Sequence, residues 1–530
     1  MAIPEEQARR AAAVEPGAPP PITEVEAYGI EPIPPEDRTA TPFDLFRVAF
    51  GGANTFATVI LGTFPILFGL SFWQGFLATV TGVVLGGLIL MPMAVFGPLN
   101  GTNNAVSSGA HFGVVGRVVG SFLSLLTAIT FFAISVWTSG DILVGGLDRG
   151  LGTGGSDVLR AVAYAFFAFV VLVICVYGFR FMLAVNKVAV VAATVLILLG
   201  VVAFGGAFDP GYPGVLEPGT DVLPIFVGAT LIVIANPLSF GAFLGDWARY
   251  IPADVRPAKV MAAAFLSQLA TLVPFTFGLA TTAVVFQQAP RFVDPVAEGY
   301  GGFPDYVGGL LAVSPGWFVL PVCVLAVIGG LSTGTTSLYG TGLDFSSVFP
   351  RLSRVQSTVL VGSLSIVFIF VGRFALDFVQ SVTIFATLII VCTTPWVVIM
   401  TIGYLTRRGF YRPDDLQVFN RGQRGGAYWF TRGVNWRGMA AWIPAAVLGV
   451  LMVNIPDQFE GPLRNVPEGL GLDRLAGVDV SLFVAIALAA LLYLVLLLAF
   501  PEPRAVYGPD GPRLVRASDA DVPPIERARA

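Results

Sequence analysis

The polar residues best placed to do chemistry in this chain lie inside apolar stretches, and most are hydroxyls, amides and helix-weakening residues. Gly329-Gly330-Leu331-Ser332-Thr333-Gly334-Thr335-Thr336-Ser337 puts hydroxyls on every face of a helix. Isolated Ser and Thr bond back to their own carbonyls or glue helices together, but a run this dense exceeds that need. Hydroxyls beside carbonyls released from an unwound helix supply the oxygen ligands that a hard cation such as sodium takes. Two further stretches interrupt a helix. Gly51-Gly52-Ala53-Asn54-Thr55 joins two glycines to small polar residues, and Asn236-Pro237-Leu238-Ser239-Phe240-Gly241 loses a backbone donor at Pro237. A fourth stretch places Phe131, Ser135 and Thr138 at i, i+4 and i+7. That is an aromatic plate beside a hydroxyl, suited to a flat heteroaromatic solute, although aromatics at this spacing more often form core.

Bond-making chemistry finds no such support. His111 is the only histidine, and Cys175, Cys323 and Cys392 each sit in an apolar run as small buried hydrophobes. Without a cluster of acids, histidines or cysteines, neither catalytic metal chemistry nor an enzyme is expected. Asp141 and Asp246 are the intramembrane carboxylates that would matter to proton coupling. Both lie near span ends, where solvation or pairing accounts for them, and Arg249 follows Asp246 at a helical ion-pair spacing.

The elements that position these residues follow from composition. Of 530 residues 55% are hydrophobic and 12% charged, against about 25% charged in soluble domains, so the chain cannot cover itself with polar surface. Mean hydropathy of +0.79 agrees. With net charge −4 and no basic patch, nucleic-acid binding is excluded along with soluble enzymes, and an all-α integral membrane protein is expected. A span needs roughly 20 apolar residues. Eleven stretches between charged residues suffice: 48–116, 118–140, 161–179, 188–208, 222–245, 260–290, 306–343, 355–372, 378–406, 438–456 and 480–501. The first is 69 residues long and holds two spans joined at Gly69-Leu70-Ser71-Phe72, which makes twelve.

Placing both termini in the cytoplasm retains 24 of 30 basic residues there and leaves only Arg149, Arg160, Arg291, Arg373, Arg464 and Arg474 outside. The chain then divides into a tail (1–42), spans one to five (43–205), spans six to ten (222–406), a seven-arginine loop (407–437), two last spans (438–501) and a tail (502–530). Both tails read as solvated and disordered, and the loop as a solvated cytoplasmic one, with binding of anionic lipid as the alternative. No signal-peptide core precedes the first span, which then doubles as an uncleaved insertion signal. The interruptions in spans one and six are five spans apart, the spacing of an inverted repeat with a broken helix opening each half.

Several local patterns occur in order along residues 28–455. They are Gly29-Ile30-Glu31-Pro32-Ile33-Pro34 with Arg38-Thr39, Gly97-Pro98-Leu99-Asn100-Gly101-Thr102 with Phe112-Gly113, Asp246-Trp247-Ala248-Arg249-Tyr250-Ile251-Pro252, and Ser337-Leu338-Tyr339-Gly340-Thr341-Gly342-Leu343. With them the chain resembles the nucleobase:cation symporter-1 family, in its purine and cytosine permease branch. The resemblance implies a LeuT-type fold, a five-plus-five inverted repeat with two peripheral helices, working by alternating access. It implies a solute held by Asn54, Phe131, Ser135, Ser239, Phe240 and Ser337. It also implies a sodium site formed by the carbonyls of Phe50, Ala53 and Gly329 and the hydroxyls of Ser332 and Thr333. The family commonly carries a large aromatic such as tryptophan in span three and an asparagine in span eight, where this chain has Phe131 and hydroxyl residues.

The expected function is a plasma-membrane symporter that imports a nucleobase or related nitrogen heterocycle with a cation. Sodium is favoured by the Ser332-Thr333 pair, and proton coupling would engage Asp141. An amino-acid transporter of the same fold and a facilitative channel are the rivals. The partners expected are a small solute and the bilayer, with no cofactor beyond the coupling ion.

Overall fold

The computed structural model describes residues 30–177, 179–292, 306–349, 352–375, 378–455, 459–472 and 475–527, which are mostly helical with three two-residue β-pairings. Its first helices show how sequence sets architecture. Thr41 and Asp44 form a reciprocal capping box at the start of α1 (Pro42–Ala53), and Pro42 sits in the first turn, where no donor is needed. Gly51 and Gly52 weaken the last turn, and Asn54 leaves helical dihedrals at φ −81° and ψ 67°. The chain resumes as α2 (Phe56–Leu67), bent by 63° from α1. Gly69, at φ +95°, makes the following turn, and Ser71 with Gln74 caps α3 (Phe72–Leu90).

There follow α4 (Val118–Leu151), α5 (Asp157–Tyr177), α6 (Phe179–Gly205), α7 (Val222–Ala248), α8 (Pro257–Ala270), α9 (Leu272–Gln288) and α10 (Gly316–Val348). The last are α11 (Arg354–Ala375), α12 (Phe378–Thr406), α13 (Trp436–Leu451) and α14 (Ser481–Ala499). Among the described residues nine helical segments are long and apolar enough to cross a membrane, or ten with α1 and α2 taken as one bent span. Two shorter apolar helices, Val355–Val371 and Trp436–Leu451, stand where the other two of the expected twelve spans fall. Phe166 and Phe169 on α5, Leu198 and Val202 on α6 and Leu491 on α14 are exposed, an apolar exterior that only lipid would cover.

Two expected interruptions are corrected by the structure. α7 runs unbroken through Pro237 and α10 through the hydroxyl run. One proline removes one donor, which a packed membrane helix tolerates. Here α3 makes room for it: any side chain at Gly82 or Gly86 would collide with Val233 or Pro237. In α10 Thr335 bonds back to the Ser332 carbonyl, and Thr336 to those of Ser332 and Thr333, which leaves the helix intact.

The tails are also corrected. Ile33 N–H donates to Gly101 O and Ala40 N–H to Tyr250 O, both at 2.9 Å, so residues 30–41 are packed on inter-helix loops. At the other end Arg513 N–H donates to Thr406 O at 2.7 Å, and Glu526–Arg527 pairs antiparallel with Gln423–Arg424. The 407–437 loop is likewise packed, with Arg407, Leu416 and Tyr428 buried. Composition misled because these charges find partners within the fold: Glu502 for Arg407, and Glu31 with Asp414 for Arg421. Residues 1–29 and 528–530 of the expected tails, with Arg9, Arg10 and Arg529, lie outside the described residues, as do Arg351 and Arg474. The two described chain ends meet the same arginine-rich end of the bundle, because Gln417 donates to Ile30 O at 2.9 Å. Two ends on one side require an even number of crossings.

Candidate solute and cation site

Four elements converge on a cavity in the middle of the bundle. α7 gives it one face, with Asn236, Phe240, Phe243 and Trp247 at i, i+4, i+7 and i+11 and Ser239 beside them. α4 supplies Phe131, α10 supplies Thr333, Thr336 and Ser337, and the break between α1 and α2 supplies Gly52, Thr55 and Thr58. The space left is about 10 Å³, room for about one water. Trp247 is packed against Phe240 and Phe243 with centroids 5.7 and 6.3 Å away. None of the lining residues carries a charge.

The most telling atom is Asn236 Nδ2, a buried amide donor with no hydrogen-bond partner among the described residues. Orphaned donors of this kind are rare in folded proteins and call for an explanation. Ser239 cannot serve it, because its own hydroxyl donates to the Asn236 carbonyl at 2.6 Å.

The residues singled out in the sequence divide accordingly. Phe131, Ser239, Phe240 and Ser337 line the cavity. Asn54 does not: its Nδ2 donates to Thr194 Oγ1 at 2.9 Å on α6, so its amide ties down the break. Ser135 is also absent from the lining and donates to the Phe131 carbonyl at 2.7 Å. Each of these two is held by a local partner and stands outside the cavity lining. The sequence reading missed Asn236, Phe243 and Trp247, whose helical spacing with Phe240 is the signal that would have found them.

A second cluster of oxygens lies beside the first. Ser332 Oγ donates to Gly51 O at 2.7 Å and Thr333 Oγ1 to Gly52 O at 2.8 Å. Thr333 also meets Thr55 Oγ1 at 2.9 Å, and Ser332 contacts Asn186 Oδ1 from α6. Gly329 lets α10 approach the break, since a side chain there would press on Thr55 and Phe56. The Phe50 and Ala53 carbonyls accept the N–H of Asn54 and Thr55, at 2.6 and 2.9 Å. The expected hydroxyl pair is therefore met by the carbonyls of Gly51 and Gly52, one residue away from those named. All these groups are neutral oxygens, a donor set that fits a monovalent hard cation.

The carboxylates stand apart. Asp141 accepts from Tyr164 and has Arg160 at 3.8 Å. Ten residues separate it from Phe131, about 15 Å along a helix. Asp246 and Arg249 are fully buried rather than solvated, and Arg249 donates to Tyr339 OH at 3.0 Å. Among the described residues no group of three or more His, Cys, Asp or Glu side chains could hold a metal.

A bundle with one broken span, an uncharged aromatic cavity and an oxygen cluster is built to bind and move a solute. A family described as permease for cytosine/purines, uracil, thiamine, allantoin matches residues 32–470. The chain belongs to that family. The permease is 24% identical to a Bacillus subtilis (strain 168) protein named as a purine-cytosine permease, YxlA, over 91% of this chain and 98% of that one. Its fold is similar to that of Mhp1, a nucleobase-cation-symport-1 family transporter, in a closed conformation with bromovinylhydantoin bound. The TM-score is 0.67 at 19% identity, covering 88% of this chain and 93% of that one. A Na+-coupled sialic acid symporter gives a TM-score of 0.54 at 13% identity, over 86% and 90%. The resemblance read from local motifs therefore stands, and with it a LeuT-type, multi-pass membrane transporter rather than an enzyme.

Proposed function

We propose that this permease is a symporter carrying an uncharged, flat nitrogen heterocycle of the nucleobase class together with sodium, by alternating access. The observation that carries this reading is the orphaned Asn236 amide donor in a cavity walled by Phe131, Phe240, Phe243 and Trp247. Rings on two helices sandwich a planar solute, and the amide reads one acceptor on its edge. Ser239, Thr336 and Ser337 are placed to contact the rest of that edge. An amino-acid substrate would need its charges met, and no lining side chain offers one.

Sodium is favoured over protons because Ser332, Thr333, Thr55, Asn186 and the Gly51–Ala53 turn bring together oxygens that do not titrate. On cation binding the two hydroxyls turn their protons away from the carbonyls and present lone pairs, with Phe50, Ala53 and Gly329 adjacent to complete the shell. Coupling requires that cation and solute each bind the open and closed forms differently. The excess of Lys and Arg at the end shared by both described chain ends supports a cytoplasmic orientation of that end, and a plasma-membrane location belongs to the same reading.

The test is uptake of radiolabelled cytosine into proteoliposomes, with and without an inward sodium gradient and with purines, uracil, hydantoins and amino acids as cold competitors. Sodium-driven accumulation blocked by one heterocycle class is expected. Competition by amino acids alone would replace the solute assignment, and equilibration without accumulation would make the protein a facilitator.

A further inference from the structure

Seven arginines lie between 407 and 437, and the fold engages four of them. Arg407 pairs with Glu502, and Arg421 with Glu31 and Asp414. Arg412 bonds the Ala505 carbonyl, and Arg437 those of Phe500 and Pro501. Among the described residues, Arg408, Arg424 and Arg432 have no hydrogen bond or ion pair through their side chains. Two of these three, Arg424 and Arg432, line one cavity of about 580 Å³. That is the size range of small-molecule sites.

The rest of the lining fits a ligand with an anionic head and a carbon body. Trp429, Phe419 and Val115 form its apolar walls, and Gln423 adds an amide. Behind Phe419 the buried Arg117 guanidinium lies 5.6 Å from the ring centroid, a further positive charge under the wall. Arg432 is aimed by a tight turn: Phe430 and Arg432 adopt φ of 43° and 55°, which L side chains rarely hold, and Gly433 N–H donates to Trp429 O at 2.7 Å. Among the described residues no carboxylate lines the cavity. Asp415 is occupied by the Ala427 N–H at 2.7 Å, and Glu526, opposite Arg424 in the β-pairing, makes no ion pair with it among the described residues.

From this we infer a second binding site, for a phosphate ester whose phosphate is held between Arg424 and Arg432 and whose body lies against Trp429 and Phe419. Arginine forks match phosphate oxygens, and aromatic faces cover what the phosphate carries. Four residues beyond Arg432, Trp436 stacks edge-on to Phe500 at 5.1 Å with Arg437 above it, the aromatic and basic pairing found at membrane interfaces. The cavity therefore opens near headgroup level, within reach of an anionic phospholipid from the bilayer and of a nucleotide from solution.

The two sources separate in one experiment on the full chain. Detergent-solubilised protein is dialysed to equilibrium against radiolabelled ATP, and protein in nanodiscs of phosphatidylcholine with graded phosphatidylglycerol is assayed for retained lipid by native mass spectrometry. One ligand per chain should saturate in at least one arm. Arg424→Gln with Arg432→Gln should weaken that binding at least tenfold, and Trp429→Ala severalfold at unchanged charge, while Arg408→Gln stays within twofold. Saturation with ATP alone identifies a soluble phosphate, and with phosphatidylglycerol alone a headgroup. If neither probe saturates, if the double variant binds like the parent, or if R408Q weakens binding as much as it does, the site is overturned.

Discussion

At the scale of single residues, the orphaned Asn236 donor makes opposite demands of the empty and the loaded protein. A buried donor without a partner costs about 1–3 kcal/mol, which a solute accepting that hydrogen bond recovers. Asn236→Ala is therefore expected to leave the thermal midpoint of the empty permease unchanged or raised. It should raise the KM of the transported base by about 5- to 150-fold, the equivalent of that energy. An unchanged KM would remove Asn236 from the solute site. The oxygen cluster makes a separate prediction. Asn186→Leu and Ser332→Ala should each abolish the rise in thermal midpoint that sodium, but not choline, gives the parent, while solute-induced stabilisation at saturating solute persists. A parent that gains nothing from sodium would sink the assignment of that cluster. Residue placements were legible in the sequence where the chemical type is unusual for its place, as with Ser332 and Thr333, whose hydroxyls meet the carbonyls of Gly51 and Gly52. They were not legible where a side chain chooses between a cavity and a nearby carbonyl, as with Asn54 and Ser135, since that choice is made by α6 and by the helix's own backbone.

Among elements, close approach of backbones decides more than propensity does. Gly278 on α9 faces the Val59 carbonyl of α2, and Gly62 midway along α2 faces the backbone of Phe275, so each helix offers the other a glycine. Such small-residue contacts let membrane helices pack by dispersion where no hydrophobic drive exists. A methyl group at Gly278 has only backbone to push against, and overpacking of this kind costs about 1–3 kcal/mol. Gly278→Ala should lower the thermal midpoint. By wedging α2, the second half of the broken span, away from α9, it should also slow transport. Gly150→Ala, with nothing within 4 Å, should be neutral or slightly stabilising. Equal effects of the two substitutions would count against the close approach. The same physics explains what charge-free stretches revealed and what they hid. Runs of apolar residues located the long helices, and paired glycines pointed to the break that follows them at Asn54–Thr55. The proline at 237 predicted a second break that did not form, because whether a helix yields at Pro depends on its neighbour, and here Gly86 of α3 seats the ring while Gly82 admits Val233 one turn earlier.

For the whole molecule, the arginine-rich end behaves as one body fastened by the C-terminal segment. Arg407 is fully buried and Glu502 is 1% exposed; they pair at 2.9 Å, with Asn435 donating to the other Glu502 oxygen at 2.7 Å. Arg407 also donates to Ala110 O at 2.6 Å, which ties the end of α12 to the loop between α3 and α4. Removing one partner of a buried pair strands the other, at about 3–5 kcal/mol. Glu502→Ala is expected to destabilise the permease accordingly, and Arg407→Met with Glu502→Leu to recover most of the loss; a single variant as stable as the parent would show the pair to be ornamental.

His111 sits in the same body, its Nε2 3.1 Å from Tyr411 OH, and both burial and the Arg407 charge push its pKa well below the usual 6.5. Below about pH 6.5 the unfolded chain thus takes up a proton that the folded chain refuses, so stability is full above that pH and is lost as pH falls. Because His111 is the only histidine, the test is clean. The parent's thermal midpoint should drop between pH 7 and 5.5, and that of His111→Gln, which keeps a hydrogen-bonding group near Tyr411, should stay nearly level. A parent midpoint that rises on acidification, or an equal slope in the variant, would place the sensitive group elsewhere in the fold.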